Sequence, residues 1–202
     1  PRIKATVAST MYDMCRVNGN GYFDENDSEE ARYAARKAMA AERTKAARSG
    51  MLTQAGGVVD PLPADAPQFV KDYYKTSRGY HSRSGNSNDG WHTFGCQAYS
   101  NARFLYYINE IRSAVLIMHG EKAHSRYFGE AAYKYMVEGK ATGYDAVRKP
   151  NLVPGNKELL IIPDASHCDL YDGGYTELEG KGKAKNMIPW DKIADFIKKN
   201  MK

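Results

Sequence analysis

At 202 residues, with 42% hydrophobic and 11% aromatic content, the chain has enough apolar material for a packed core, which excludes a disordered protein. Its formal charge of +5 comes from lysines and arginines interleaved with acids, and no basic cluster with interspersed aromatics occurs, so a nucleic-acid partner is not expected. Cys15, Cys96 and Cys168 lie far apart without a CxxC pair, which argues against a disulfide framework or a cysteine-rich zinc site and favours a reducing, cytoplasmic compartment.

No run approaches the length of a membrane helix and the start does not resemble a signal peptide, so no membrane association is expected. The chain instead opens on Ile3 to Ser9, which reads as a strand already under way, and a strand so early without an initiator methionine suggests a piece of something longer. The turn after it carries Met11, Tyr12, Asp13 and Met14. Asn18-Gly19-Asn20-Gly21 then breaks the chain. Ser28 followed by Glu29 and Glu30 predicts a helix start, the basic residues fall late, and Gly50 marks the stop. That helix offers little beyond alanine, Tyr33 and Met39 on its apolar face, so it is expected to cover a core rather than form one.

After a loop rich in glycine and proline, a short helix capped near Asp65 is predicted to place Phe69, Val70, Tyr73 and Tyr74 on one side. The polar segment from Arg78 to Asn101 holds His81 and His92, which could line a pocket or belong to a surface loop pinned by Trp91 and Phe94. Ser113 to Gly120 is a fully apolar strand apart from its ends and His119. Ser125 is placed to cap a helix whose buried stripe is Phe128, Ala131, Ala132, Tyr135 and Met136. A loop with Gly139, Gly143 and Pro150 leads to Leu159-Leu160-Ile161-Ile162-Pro163, the pattern of a strand buried on both faces of a parallel sheet. The chain then turns through Asp164, Ala165 and Ser166 to His167. Pro189 opens a last amphipathic helix with Trp190, Ile193, Ala194, Ile197 and Met201. Buried strands alternating with helices predict an α/β fold. Ligands in such sheets sit beyond the carboxyl ends of the strands, and His167 stands on that side.

The stretches His119 to Met136, Pro163 to Asp172 and the closing helix, together with the opening strand and Arg78 to His81, resemble an alpha/beta-hydrolase in its C-terminal half, most nearly the bacterial dienelactone hydrolase and acyl esterase group. The resemblance implies the last three strands of the parallel sheet from residues 1–13 and 104–202, with residues 14–103 as a mostly helical cap. It further implies hydrolysis of an ester or related acyl bond in a small-molecule substrate, without a cofactor. The triad histidine carries over onto His167. Alanine, as Ala123, fills the usual position of the acid, which leaves Glu121 and Asp13 as the two candidates to hold the imidazole; each also has a structural reading, Glu121 paired with Lys122 or Arg126 and Asp13 capping the following turn.

No G-x-S-x-G elbow occurs; Ser87 lacks its spacing and context, and Cys168 has no base left to activate it. The nucleophile and oxyanion hole are therefore expected in an absent N-terminal half, and this chain alone is expected to be inactive. Its expected partners are that half or a second copy, since an open sheet edge invites association. The alternative is a catalytically silent binding or structural module. His119, Glu121, His124 and His167 also raise a metal-site reading, which strand alternation and the lack of HExxH disfavour.

Overall fold

The structure, a computed structural model, describes residues 2–141, 147–148, 155–174 and 186–201. Gly143 and Pro150 lie outside the described residues. The elements are β1 (Ala5–Ser9), α1 (Met14–Asn20), α2 (Glu29–Ser49), α3 (Gln68–Tyr74), α4 (Gly85–Asn88), β2 (Ala114–Gly120), α5 (Arg126–Glu138), β3 (Lys140–Ala141), β4 (Val147–Arg148), β5 (Lys157–Ile162), α6 (Asp169–Asp172) and α7 (Trp190–Asn200). The chain divides into two compact units, Pro1–Tyr12 with Phe104–Lys202, and Asp13–Arg103.

The first unit is α/β. Its sheet has the order β1-β2-β5, all parallel, with Ala5 opposite Ala114 and Val115 opposite Lys157. Every residue of the central β2 is buried. Alternation sends Ala114, Leu116 and Met118 to one side, where Phe196 and Ile193 of α7 meet them. Val115 and Ile117 face the other side and pack on Ala132 and Met136 of α5. Helices thus cover both faces, as buried parallel strands require.

Three local expectations differ. β5 is not buried on both faces: Glu158 to Ile161 are only partly covered, because β5 has one sheet neighbour, β2, among the described residues. In α7 the deepest side chain is Phe196, 2% exposed, while Trp190 and Met201 stand out at 60% and 65%. Ile193, Phe196 and Ile197 form the inward stripe, so the helix is rotated relative to the predicted one. Pro189 sits at the N-cap, one place before the helix.

In the second unit, α2 keeps its predicted limits. Ser28 Oγ accepts from the Ala31 amide, and Gly50 closes the helix in the left-handed region at φ 69. No residue of α2 is buried. α3 starts later than Asp65 suggested, with Pro67 at its N-cap and no side-chain capping bond. The segment after it forms α4 and short 3-10 turns, tied down by isolated bridges from Gln54 to His92 and from Val59 to Asp89. No helix among the described residues is long and apolar enough to cross a membrane.

Candidate active site

The carboxyl ends of the three parallel strands bring three turns together. β1 runs into Thr10, whose amide donates to the Met118 carbonyl at 2.9 Å, and on to Tyr12. Thr10 is buried and has φ 48, an uncommon conformation for a β-branched residue. β2 ends at Gly120, after which the Glu121 amide donates to Ile162 at 2.8 Å and the Lys122 amide to Ala165 at 2.9 Å. β5 leads through Asp164, at φ 60, to His167. These backbone bonds lock the turn after β2 against the turn after β5, so the groups carried by each are held in register.

His167 is buried, 7% exposed, and ringed by aromatics. Its centroid lies 4.8 Å from His124, 5.2 Å from Tyr171 and 6.3 Å from Tyr12, and Tyr12 also packs on Phe128 at 5.0 Å. Nδ1 lies 2.6 Å from Ser125 Oγ and Nε2 lies 2.5 Å from the Tyr171 hydroxyl. Ser125 is fully buried whereas Tyr171 is 42% exposed. The ring therefore has an inner and an outer nitrogen, each on a hydroxyl. Burial, and then the neighbouring His124 and His119, push His167 down to about 4, so the imidazole is neutral at neutral pH.

Glu121, the predicted acid that shares a unit with this ring, makes no hydrogen bond to it. Glu121 is exposed, and its Oε2 accepts from the Asp164 amide at 3.0 Å. Asp13 belongs to the second unit, where its Oδ1 accepts from the Cys15 and Arg16 amides at 3.1 and 2.9 Å and caps α1. An aspartate followed by a short helix is often spent on the helix itself, because the first amides have no partner in the chain. Asp13→Ala is expected to cost about 1 kcal/mol, read as a lower urea midpoint.

Ser125 departs from its expected role as well. It occupies the N-cap of α5 but makes no side-chain capping bond. Its hydroxyl is given to His167, 42 residues away in the chain. Tyr171 was not singled out in the sequence, although it stands four residues after His167, the spacing that brings side chains together on one helical turn. Asp169, also missed, is buried, and its Oδ2 accepts from the Ser166 amide at 2.9 Å, bracing the turn before His167.

His119 lies on the α5 face of β2, fully buried, and neither ring nitrogen has a hydrogen-bond partner among the described residues. Its ring fills the space over Gly129, where an added Cβ would come within 2.3 Å of it. Desolvation, Arg126 and His124 push it down to about 4. Among the described residues no group of three His, Cys, Asp or Glu side chains is placed to hold a metal ion. Cys15, Cys96 and Cys168 form no disulfide with one another, and Cys15 and Cys168 are buried. His81 and His92 belong to the second unit, and neither lines its concavity around Pro61, Lys71 and Tyr80. A concavity of the first unit, lined by Arg2, Lys4, Ser113 and Asn156, lies at the amino ends of the strands, away from His167.

No protein-family model matches the chain. It is 37% identical over 204 residues to the uncharacterized protein PA2218 of Pseudomonas aeruginosa, an alignment covering 99% of this chain and 47% of that protein. It is 36% identical to the crystal structure of hypothetical protein PA2218 from the same species, with a TM-score of 0.74, covering 99% of this chain and 54% of the solved one. The chain thus spans about half the length of the curated relative it matches.

Proposed function

We propose that the α/β unit is the base-carrying part of a serine-type acyl hydrolase, with His167 as the proton carrier and the nucleophile supplied by polypeptide outside this chain. The observation that carries the reading is the placement of one buried imidazole beyond the carboxyl end of β5, its inner nitrogen fixed by Ser125 and its outer nitrogen turned to the half-exposed Tyr171. A general base needs one nitrogen held and the other turned towards the attacking group, and the placement of His167 supplies both once Nε2 is free of its own proton. In the proposed reaction a serine hydroxyl attacks the acyl carbonyl and gives its proton to Nε2. The tetrahedral adduct collapses, and the leaving alcohol, thiol or amine takes that proton away. Water repeats the sequence and releases the acid.

A second reading, a catalytically silent binding or structural module, is favoured by a different observation. Nδ1 of His167 faces an alcohol where a carboxylate would stabilise the imidazolium, and Glu121 is turned to the Asp164 amide. One assay separates the two. The chain is mixed with a short-chain aryl ester, alone and together with the part of the Pseudomonas protein that it does not cover. Hydrolysis only in the mixture, abolished by His167→Ala, is the expected result. No hydrolysis in any mixture would leave the silent module.

A further inference from the structure

We propose that Ser125 is the positioning residue for His167, standing at the nitrogen where a triad carboxylate would stand, and that it holds the ring in the tautomer carrying its proton on Nε2. This deepens the reading of His167 as a base and rests on it, although the ring itself can be observed without any substrate.

The assignment follows from where the protons can go. A serine hydroxyl has one proton to donate and lone pairs to accept with, and a neutral imidazole has one donor nitrogen and one acceptor nitrogen. Ser125 Oγ is fully buried, caps nothing on α5, and has His167 Nδ1, at 2.6 Å, as its hydrogen-bond partner among the described residues. If Nδ1 carried the ring proton, the serine proton would be buried with no acceptor among those residues, which is the costly outcome for a polar group. If Ser125 donates to Nδ1, the ring proton sits on Nε2 and is donated to the Tyr171 oxygen 2.5 Å away. Tyr171 is 42% exposed, and its hydroxyl can accept from Nε2 while keeping its own proton for another partner. Of the two patterns, only the second gives the buried serine proton an acceptor among those residues.

A carboxylate at the same place would accept only, and would force the proton onto Nδ1, the form in which Nε2 is ready to take a proton. Ser125 reverses this. With Tyr171 in place the outer nitrogen is a donor, and His167 becomes an acceptor at Nε2 only after the ring changes tautomer, the Nε2 proton leaving to water on the Tyr171 side and Nδ1 taking one up, with Ser125 then accepting from Nδ1. The hydroxyl can face either tautomer by rotating its proton, the second at the cost of a buried proton without an acceptor; the carboxylate would serve one.

The test is nitrogen NMR of the full chain labelled with 15N-histidine at pH 7.5, with His167 assigned by loss of its signals in His167→Asn. The wild type is expected to show a protonated Nε2 and a bare Nδ1. Ser125→Thr, which keeps the hydroxyl, should preserve that pattern; Ser125→Ala should shift it towards a protonated Nδ1. Ser125→Asp should protonate Nδ1 fully and move the titration midpoint of the ring up from about 4. A protonated Nδ1 in the wild type, or an unchanged pattern in a folded Ser125→Ala, would overturn the assignment. Should Ser125→Ala not fold, Tyr171→Phe decides: the Nε2 proton is retained if Ser125 sets the tautomer, and its loss rejects the proposal. Absence of ester hydrolysis together with the expected NMR pattern would reject the hydrolase reading and leave Ser125 in its role.

Discussion

Gly120→Ala is expected to lower the stability of the chain by about 3 kcal/mol and to separate Ser125 from His167. Gly120 closes β2 opposite Ile162, and an added Cβ would lie 2.2 Å from the Ala165 oxygen, 2.6 Å from the Ala165 carbonyl carbon and 2.7 Å from the Ser166 oxygen. All three are backbone atoms, so no rotamer change relieves the clash. The 165–166 turn must move away from β2, and with it go the bond from the Lys122 amide to Ala165 at 2.9 Å and the placement of His167. Overpacking commonly costs 1–3 kcal/mol, and this site belongs at the top of that range because both sides are main chain. The measurement is urea unfolding of the variant beside Gly85→Ala, where nothing lies within 4 Å of the new Cβ. Equal midpoints for the two variants would show that the turns after β2 and β5 are not held as described.

Acidification from pH 7.5 to pH 5 is expected to cost about 2 kcal/mol for each of His119 and His167. Both are pushed down to about 4 in the fold, chiefly by desolvation, from an ordinary value near 6.5. Between those values the unfolded chain binds more protons than the folded one, so stability is present above pH 6.5 and falls as the pH drops towards 4. His124, also lowered by burial, acts in the same direction. Replacing His119 with leucine should flatten the decline by its share. It should also raise stability at neutral pH, because two buried nitrogens without partners among the described residues are removed. Urea midpoints followed across this range test both statements. A flat profile between pH 7.5 and 5 would mean that water reaches the rings.

Much of the fold was legible because it is written in local patterns. The runs read at 113–120 and 159–163 fall on β2 (Ala114–Gly120) and β5 (Lys157–Ile162), and Ser28 and Gly50 bounded α2. The place of His167 on the turn after a strand was legible too. Its surroundings were not. Ser125 reads locally as a helix cap, and nothing within a few residues of it indicates that its hydroxyl is committed to a ring 42 positions later. Glu121 reads as an acid beside a site, yet its carboxylate meets the Asp164 amide. Phe196 escaped the predicted stripe of α7 because a helix of mixed faces can be rotated by one position without violating its period, and only packing on Leu116 and Met118 selects the angle.

By itself, then, the order of residues determined the three strands of the sheet and the longer helices, and that the strands run parallel beneath covering helices. These follow from spacings of one to four residues, over which backbone geometry alone decides what shares a face. The tertiary structure decided what meets each nitrogen of His167. That pairing depends on the register of β2 against β5 and on two turns locked by main-chain bonds, a relation between distant segments that exists only once the sheet has formed.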